Sequence, residues 1–364
     1  MANTKIPPEL VDDQVFGGRR LNINGDMRVA QRGTKTSMQS GYGGPDRINL
    51  LSSSLGVYTM SQSDTSPNNF GKSFKLTTTT ANTSPGASAY AIVQYKFEGH
   101  DLQSLKWGTA DAEQITVSFW VYTNKTGTYN LEMYAYDNTS NHQANKQYTV
   151  SASNTWEKKV ITFPSGNNAT IPDDNTAALN FNFWLGAGST YTSGSAGDGN
   201  FHSTAANRAA GNVNIADSTS NAFRITGLQI ETGTQATPFE YRNIAQEEEQ
   251  CRRYFQHHNF PDAAAVMNGS MWQTTSMYGA YPFYPQMRTE PTSTTSAATT
   301  FDVYTPNGQA ASTPAAIYHQ NHSPQAIEIY LYNSSGLGTQ GEAVWVRSDT
   351  SGGETATFTL DAEL

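Results

Sequence analysis

A chain of 364 residues, 15% charged and 37% hydrophobic, has enough apolar surface to bury a core and room for two domains of ~100–200 residues each. Acids outnumber bases 31 to 22, a net charge of −9 with no basic run, which speaks against the Lys/Arg field that nucleic-acid binding requires. The one cysteine, Cys251, excludes an internal disulfide framework and a Cys-based metal cluster, and no apolar run reaches the ~18 residues of a membrane span.

Ser, Thr, Asn, Gly and Tyr are abundant, a composition that favours half-buried pleated surfaces joined by turns, so the predicted fold class is all-β. Residues 1–20 read as an extended arm. Pro7-Pro8 bars helix and strand alike, and Gly17-Gly18-Arg19-Arg20 is a flexible joint. Lys5, Ile6, Pro7, Pro8 and Leu10 are the residues expected to dock on a neighbouring subunit. No charged start followed by an apolar core is present, which predicts that the chain does not follow the usual secretory route.

The β region opens at Leu21, where 21–24 alternates up to the turn pair Gly25-Asp26 and 27–30 follows. Further strands are expected at 73–78, 89–97, 114–122, 129–137, 147–151, 156–163, 179–185, 211–216 and 222–231, separated by clusters such as Thr123-Asn124-Lys125-Thr126-Gly127. About ten strands without intervening helices predict a jelly-roll β-sandwich over 21–243. The Gly/Ser/Thr-rich stretch 186–208 is long for a loop, a length more often functional than idle. One connecting helix is expected over 244–257, within a connector spanning 244–270. Glu247, Glu248 and Glu249 lie near its positive end and Arg252, Arg253 and His257 near its negative end. Ile244, Cys251, Tyr254 and Phe255 are expected on its buried face. A smaller C-terminal β-sandwich over 271–364 is built from strands at 276–284, 293–304, 327–333, 342–347 and 356–362.

Catalytic patterns are missing. No G-x-S-x-G elbow, P-loop, HExxH or dinucleotide fingerprint occurs; Gly194-Ser195-Ala196-Gly197 has the wrong spacing for a nucleophile elbow. His319 and His322 lack a third ligand, and Asp173, Asp174 and Asp198 sit in polar loops where solvated carboxylates are ordinary. The chain therefore reads as a non-enzyme with no cofactor, apart from a structural calcium that Asp26 would help hold. Binding signals are richer. Trp107, Tyr191, Phe201, Trp272, Tyr278 and Tyr281 lie among Asn, Gln, Ser and Asp, a setting suited to stacking on the apolar face of a sugar ring. Of these, Trp107, Tyr191, Phe201, Trp272 and Tyr281 are the candidate glycan-binding residues. Trp120, Trp156 and Trp184 fall within apolar strand runs and are expected in the core.

The stretch Asn22-Ile23-Asn24-Gly25-Asp26-Met27-Arg28-Val29-Ala30-Gln31-Arg32-Gly33-Thr34, with Asp46-Arg47, resembles the opening of jelly-roll, carbohydrate-binding-module-like domains in bacteriophage tail-fibre and other virion proteins. Ser118-Phe119-Trp120-Val121, Asn154-Thr155-Trp156, Ile225-Thr226-Gly227-Leu228-Gln229-Ile230-Glu231 and Ala236-Thr237-Pro238-Phe239-Glu240 are similar to its later strands and close, in the same order. The resemblance implies a virion structural protein made in the host cytoplasm, homotrimeric assembly being the expectation, with the arm holding other virion proteins. It implies a short tail fibre or receptor-binding protein that contacts host surface polysaccharide. The alternatives are a capsid decoration or head-fibre protein and, third, a polysaccharide-degrading enzyme. Nucleic acid and a membrane span are not expected. The chain lacks a repeat-built shaft, so a stubby fibre or knob is implied.

Overall fold

The computed structural model describes residues 18–137, 140–166, 170–306, 312–349 and 355–364. The anchoring residues Lys5, Ile6, Pro7, Pro8 and Leu10 lie outside them. Two units divide the chain, Met1–Glu247 with Leu364, and Glu248–Glu363. Among the described residues no helix is long and apolar enough to cross a membrane.

Unit 1 carries β1 (Lys35–Met38), β2 (Ser40–Tyr42), β3 (Asn49–Ser53), β4 (Val57–Ser63), β5 (Ser73–Thr80), β6 (Tyr90–Glu98), β7 (Ile115–Thr123), β8 (Gly127–Ala135), β9 (Gln143–Val150), β10 (Glu157–Phe163), β11 (Ala177–Ala187), a single helical turn α1 (Ser189–Thr192) and β12 (Ala222–Thr232). These form two antiparallel six-stranded sheets, β1-β4-β5-β12-β7-β10 and β2-β3-β6-β11-β8-β9. Period-two alternation decides what each buries. In β11, Leu179, Phe181, Phe183 and Leu185 enter the core between the sheets. Phe119 of β7 meets Phe183 edge-on at 5.0 Å and Tyr148 of β9 at 5.3 Å. Each ring so buried contributes about 1.5–3 kcal/mol, and the interlocked edge-to-face geometry sets the spacing between the sheets. The fold is an all-β sandwich.

Several local expectations change. Residues 21–30 form no paired strand, because Asn24 and Met27 take positive φ. Side chains replace the ladder: the Asn22 amide accepts from Ile230 N at 2.8 Å and donates to Leu228 O at 2.8 Å. The Asn24 amide closes the turn on Val29 and reaches Asp46 O at 3.0 Å. Residues 211–216 are a turn and a 3-10 turn (Ile215–Asp217) capped by Asn214, not a strand. Conversely, β1 to β4 are polar, Ser/Thr-rich strands whose alternation is too weak to read from sequence. Trp120 and Trp156 are half-buried on the outer face of the first sheet rather than in the core, because they share parity with Ser118 and Lys158 and not with Phe119.

The connecting helix α2 (Ile244–Arg252) stops five residues short of the expected 257, and the chain turns directly into β13 (Phe255–Phe260). Ile244 is exposed rather than part of a buried stripe, while Cys251, Tyr254 and Phe255 are buried. Unit 2 continues with β14 (Ala265–Gln273), β15 (Ser276–Pro282), β16 (Thr292–Thr295), β17 (Phe301–Tyr304), β18 (Ala316–Gln320), β19 (Ala326–Tyr332), β20 (Ala343–Ser348) and β21 (Ala356–Asp361). A three-stranded sheet β13-β21-β16 and a six-stranded sheet β17-β20-β14-β15-β19-β18 bury Met271, Met277, Ile329, Leu331, Val346, Phe358 and Leu360.

Candidate functional site

The same parity that buries Phe181 and Phe183 sends Asn180, Asn182 and Trp184 to the opposite face of β11. Their neighbours in register are Gln94 and Ile92 on β6 and Glu132 and Asn130 on β8. The outer face of the second sheet is thus a polar, ring-bearing surface. Its amides form a ladder across four strands. Asn49 of β3 donates to Gln94 at 2.9 Å, Gln94 to Asn182 at 2.9 Å, and Asn182 to Glu132 at 2.8 Å. Glu132 also accepts from Trp184 Nε1 at 3.2 Å and takes Arg208 in a two-pronged contact, Nε at 2.6 Å and Nη2 at 2.9 Å.

The stretch 188–212 folds back over part of this face. Its backbone is tied down at both ends: Gly188 N donates to Ala89 O at 2.8 Å, Thr190 N to Ala87 O at 2.9 Å, and Gln147 Nε2 to Ala210 O at 2.7 Å. The segment brings α1 and Arg208 above the sheet. Tyr191 packs 5.3 Å from Trp184 and meets Tyr90 edge-on at 5.7 Å. The Arg208 guanidinium lies over Trp184 at 5.1 Å, Tyr134 at 5.6 Å and Tyr191 at 5.9 Å. Burial alone would lower its pKa, but the Glu132 charge and hydrogen bonds outweigh that and hold it above the usual guanidinium value. Its charge is therefore permanent and locally neutralised.

Where the covering segment ends, a cleft of about 110 Å³ remains, lined by Leu51, Tyr90, Ile92, Gln94, Asn182, Trp184, Tyr191 and Arg208. It is smaller than the ~300–1,000 Å³ of a drug-sized ligand site, and its three rings, Tyr90, Trp184 and Tyr191, pack on one another. Tyr90 and Tyr191 are partly exposed at its mouth, while Trp184, Asn182 and Gln94 are buried at its floor. Chemically this is a fixed aromatic surface with planar amides at its floor and a guanidinium held beside them. A second depression, of about 390 Å³, is lined by Gln39, Ser54, Gly56, Val57, Thr80, Ala81, Asn82, Thr83 and Ser84 and offers no ring.

Of the five ring residues singled out from sequence, the structure places Tyr191 in this cleft. Trp107 is 6% exposed, donates Nε1 to Glu113 O at 2.9 Å and meets Phe201 edge-on at 6.0 Å. Those two are brought together against the core, with Phe201 half-buried. Tyr281 is likewise buried, lying flat on Phe358 at 4.9 Å. Trp272 is 64% exposed on β14, with Tyr278 at 6.3 Å. Sequence reasoning missed Tyr90, Gln94, Glu132, Asn182 and Arg208; Trp184 is buried as expected, in a small cluster with Ile92 and Ala209 on the outer side of the second sheet. In Leu179-Asn180-Phe181-Asn182-Phe183-Trp184-Leu185 its parity with the two asparagines marks which side of the strand it is buried on.

Asp26 Oδ2 is taken by Arg28 Nε at 2.5 Å, with Arg28 also reaching Arg242 O, while Asp26 Oδ1 is buried without a hydrogen-bond partner. Among the described residues no three His, Cys, Asp or Glu side chains group to hold a metal. Asp174 and Asp198 are held below the usual carboxylate value, first by hydrogen bonds from Thr176 and Asn200, the opposite of the shift a glycosidase acid needs. His319 Nδ1 and His322 Nε2 both lie 2.8 Å from Ser293 Oγ.

No protein-family model and no curated protein matches the chain. Solved structures that share part of its layout include a domain of the bacteriophage CBA120 tailspike protein 4 (14% identity, TM-score 0.30, 51% of this chain and 19% of that one). Others are the family 11 carbohydrate-binding module of a Clostridium thermocellum cellulase (11%, TM-score 0.28, 57% and 98%) and a tandem family 22 module from Paenibacillus barcinonensis (10%, TM-score 0.26, 96% and 99%). The chain thus spans about a fifth of that tailspike domain.

Proposed function

We propose that the chain is a virion structural protein, a short tail fibre or receptor-binding protein, whose unit 1 contacts a host surface glycan through the cleft at Tyr90, Trp184 and Tyr191. The observation that carries the glycan part is the preorganised floor: two buried amides and a neutralised guanidinium, fixed by Glu132, beneath rings already oriented edge to face. A sugar ring has an apolar face for Tyr90 and Tyr191 and hydroxyls for Gln94, Asn182 and Arg208. Little side-chain entropy is lost on binding, because the site is already ordered. The virion assignment is supported by the sequence resemblance. A one-ring site gives weak affinity, which several copies on one particle would multiply. We read the chain as a non-enzyme, since of the carboxylates considered for hydrolysis Asp174 and Asp198 are tied into turns and Asp173 pairs with His100 on the surface.

Binding of purified chain to host envelope polysaccharide, measured by biolayer interferometry, tests the reading. The pair Tyr90→Ala and Tyr191→Ala, each removing a stacking contact of about 0.5–1.5 kcal/mol, should weaken binding roughly tenfold together. No retention on host glycans, or equal retention of the double variant, would refute it. Imaging of intact particles distinguishes a tail position from a decoration on the capsid.

A further inference from the structure

The outer face of the first sheet, on the opposite side of the sandwich from the cleft, carries a second arrangement. Across β5, β12 and β7 the register places Lys75 beside Arg224 and Arg224 beside Tyr122. Trp156, just before β10, stands 5.3 Å from the Tyr122 ring, and the Arg224 guanidinium lies 4.9 Å over that ring. One step along, Trp120 is paired with Lys158.

Like charges directly opposite on neighbouring strands repel, and native sheets usually separate them or interpose a carboxylate. Neither remedy is present here. The single carboxylate of this parity on the five strands β4, β5, β12, β7 and β10 is Glu231, which is buried at the far end and taken by Thr237. The nearby acids are committed elsewhere, Glu157 to Lys159 and Asp217 to Lys125. Arg224 Nε is buried with no hydrogen-bond partner in the folded chain. Burial, partly offset by Tyr122, lowers the Arg224 pKa, as expected for a cation short of a counter-charge. In a chain of net charge −9, three cations and three half-buried or exposed rings without an acid are a local reversal of sign.

We infer that this face binds an anionic saccharide, a polyuronate or a sugar bearing sulfate or phosphate, with Tyr122 and Trp156 taking the ring and Lys75, Arg224 and Lys158 the anion. A single-stranded nucleic acid also combines phosphate with stackable rings. It would, however, run its evenly charged backbone past the patch and over a surface of net negative charge, whereas a sparsely charged glycan places its anions only where the cations are.

The experiment uses the full chain with immobilised alginate, dextran sulfate, neutral dextran and a single-stranded oligonucleotide. Expected is binding to alginate or dextran sulfate, roughly tenfold weaker at 300 mM than at 50 mM NaCl, with none to dextran through this face. Lys75→Gln with Arg224→Gln should abolish it while leaving the melting temperature equal or higher, since a repulsion is removed. If that pair fails to fold, Lys158→Gln, at an exposed position, should still weaken binding. Trp156→Ala should weaken it with the salt dependence unchanged. Absence of binding at 50 mM NaCl to both anionic polymers, unchanged binding of the charge variants, or tighter binding to the oligonucleotide than to either polymer would overturn the inference. Because Tyr90→Ala and Tyr191→Ala leave this face intact, failure here and failure of the cleft are separately visible.

Discussion

Glu132 is fully buried on β8, and donors from Asn182, Trp184 and Arg208 converge on it. An unpaired buried carboxylate would be costly; here the guanidinium cancels its charge and the other donors fill its lone pairs. Glu132→Gln preserves shape but leaves Arg208 charged in a mostly buried place. We expect a loss of about 2–3 kcal/mol, seen as a thermal melting midpoint lower by roughly 5–10 °C in circular dichroism. Glycan affinity should fall as well, since the rings lose the group that orients them. A comparable pair, Arg20 with Glu247, is wholly buried and ties the start of the described chain to α2, while Glu240 accepts from the backbone N–H groups of Gly18, Arg19 and Arg20. The segment that resembles the opening of virion jelly rolls is thus a polar scaffold. Asn22, Asn24 and Arg28 hold backbone, and Arg32 lies over the Tyr42 ring.

Within the elements, β12 shows how one residue redirects a strand. Its pairing with β7 slips between Thr226 and Gln229, where Gly227 sits at φ +59°. A bulge with a left-handed glycine inserts one extra residue, so Phe223 and Ile225 before it and Leu228 and Ile230 after it all reach the core. A Cβ at Gly227 would lie 2.6 Å from Cζ of Phe70. Gly227→Ala should therefore cost about 1–3 kcal/mol in chemical denaturation, from backbone strain and displacement of Phe70 together. An unchanged denaturation midpoint would show that the bulge tolerates a side chain. On β11 no such slip interrupts 179–184, and the unbroken alternation is what puts the cleft floor and the core on opposite faces of one strand.

For the whole molecule, pH is the informative variable. In unit 2 the His258 pKa is lowered to about 4, first by burial, then by Arg252 and His257. Its Nε2 lies 3.0 Å from Gln256 Oε1, while the Gln256 amide donates to Arg252 O and Pro285 O, so His258 donates from Nε2. His319 is lowered too, first by burial. A depressed folded pKa means that the unfolded chain binds more protons between about 6.5 and 4. The stability His258 contributes is complete above pH 6.5 and is lost as pH falls toward 4, and His319 acts in the same direction. Calorimetry between pH 7 and 4.5 should show a falling melting temperature, and His258→Gln should recover roughly 5 °C of that fall at pH 4.5. A variant as acid-sensitive as the parent would mean that other groups govern the response.

Composition and alternation were enough to establish an all-β chain, the positions of most long strands in unit 1, and a surface rich in rings. Those properties follow from short-range rules, because a residue's parity along a strand and its turn chemistry are local. Which rings meet was not local. Trp107 and Phe201, 94 positions apart in the numbering, close on each other against the core, whereas Tyr90, Trp184 and Tyr191 converge only because β6 lies beside β11 and the stretch 188–212 returns over both. Glu132 and Arg208 look like ordinary surface charges until strand order brings a guanidinium above β8. Lys75 and Arg224 become neighbours only through the pairing of β5 with β12. Strand order joins residues far apart in sequence, and the environment it creates settles which rings are core and which are left to touch a partner.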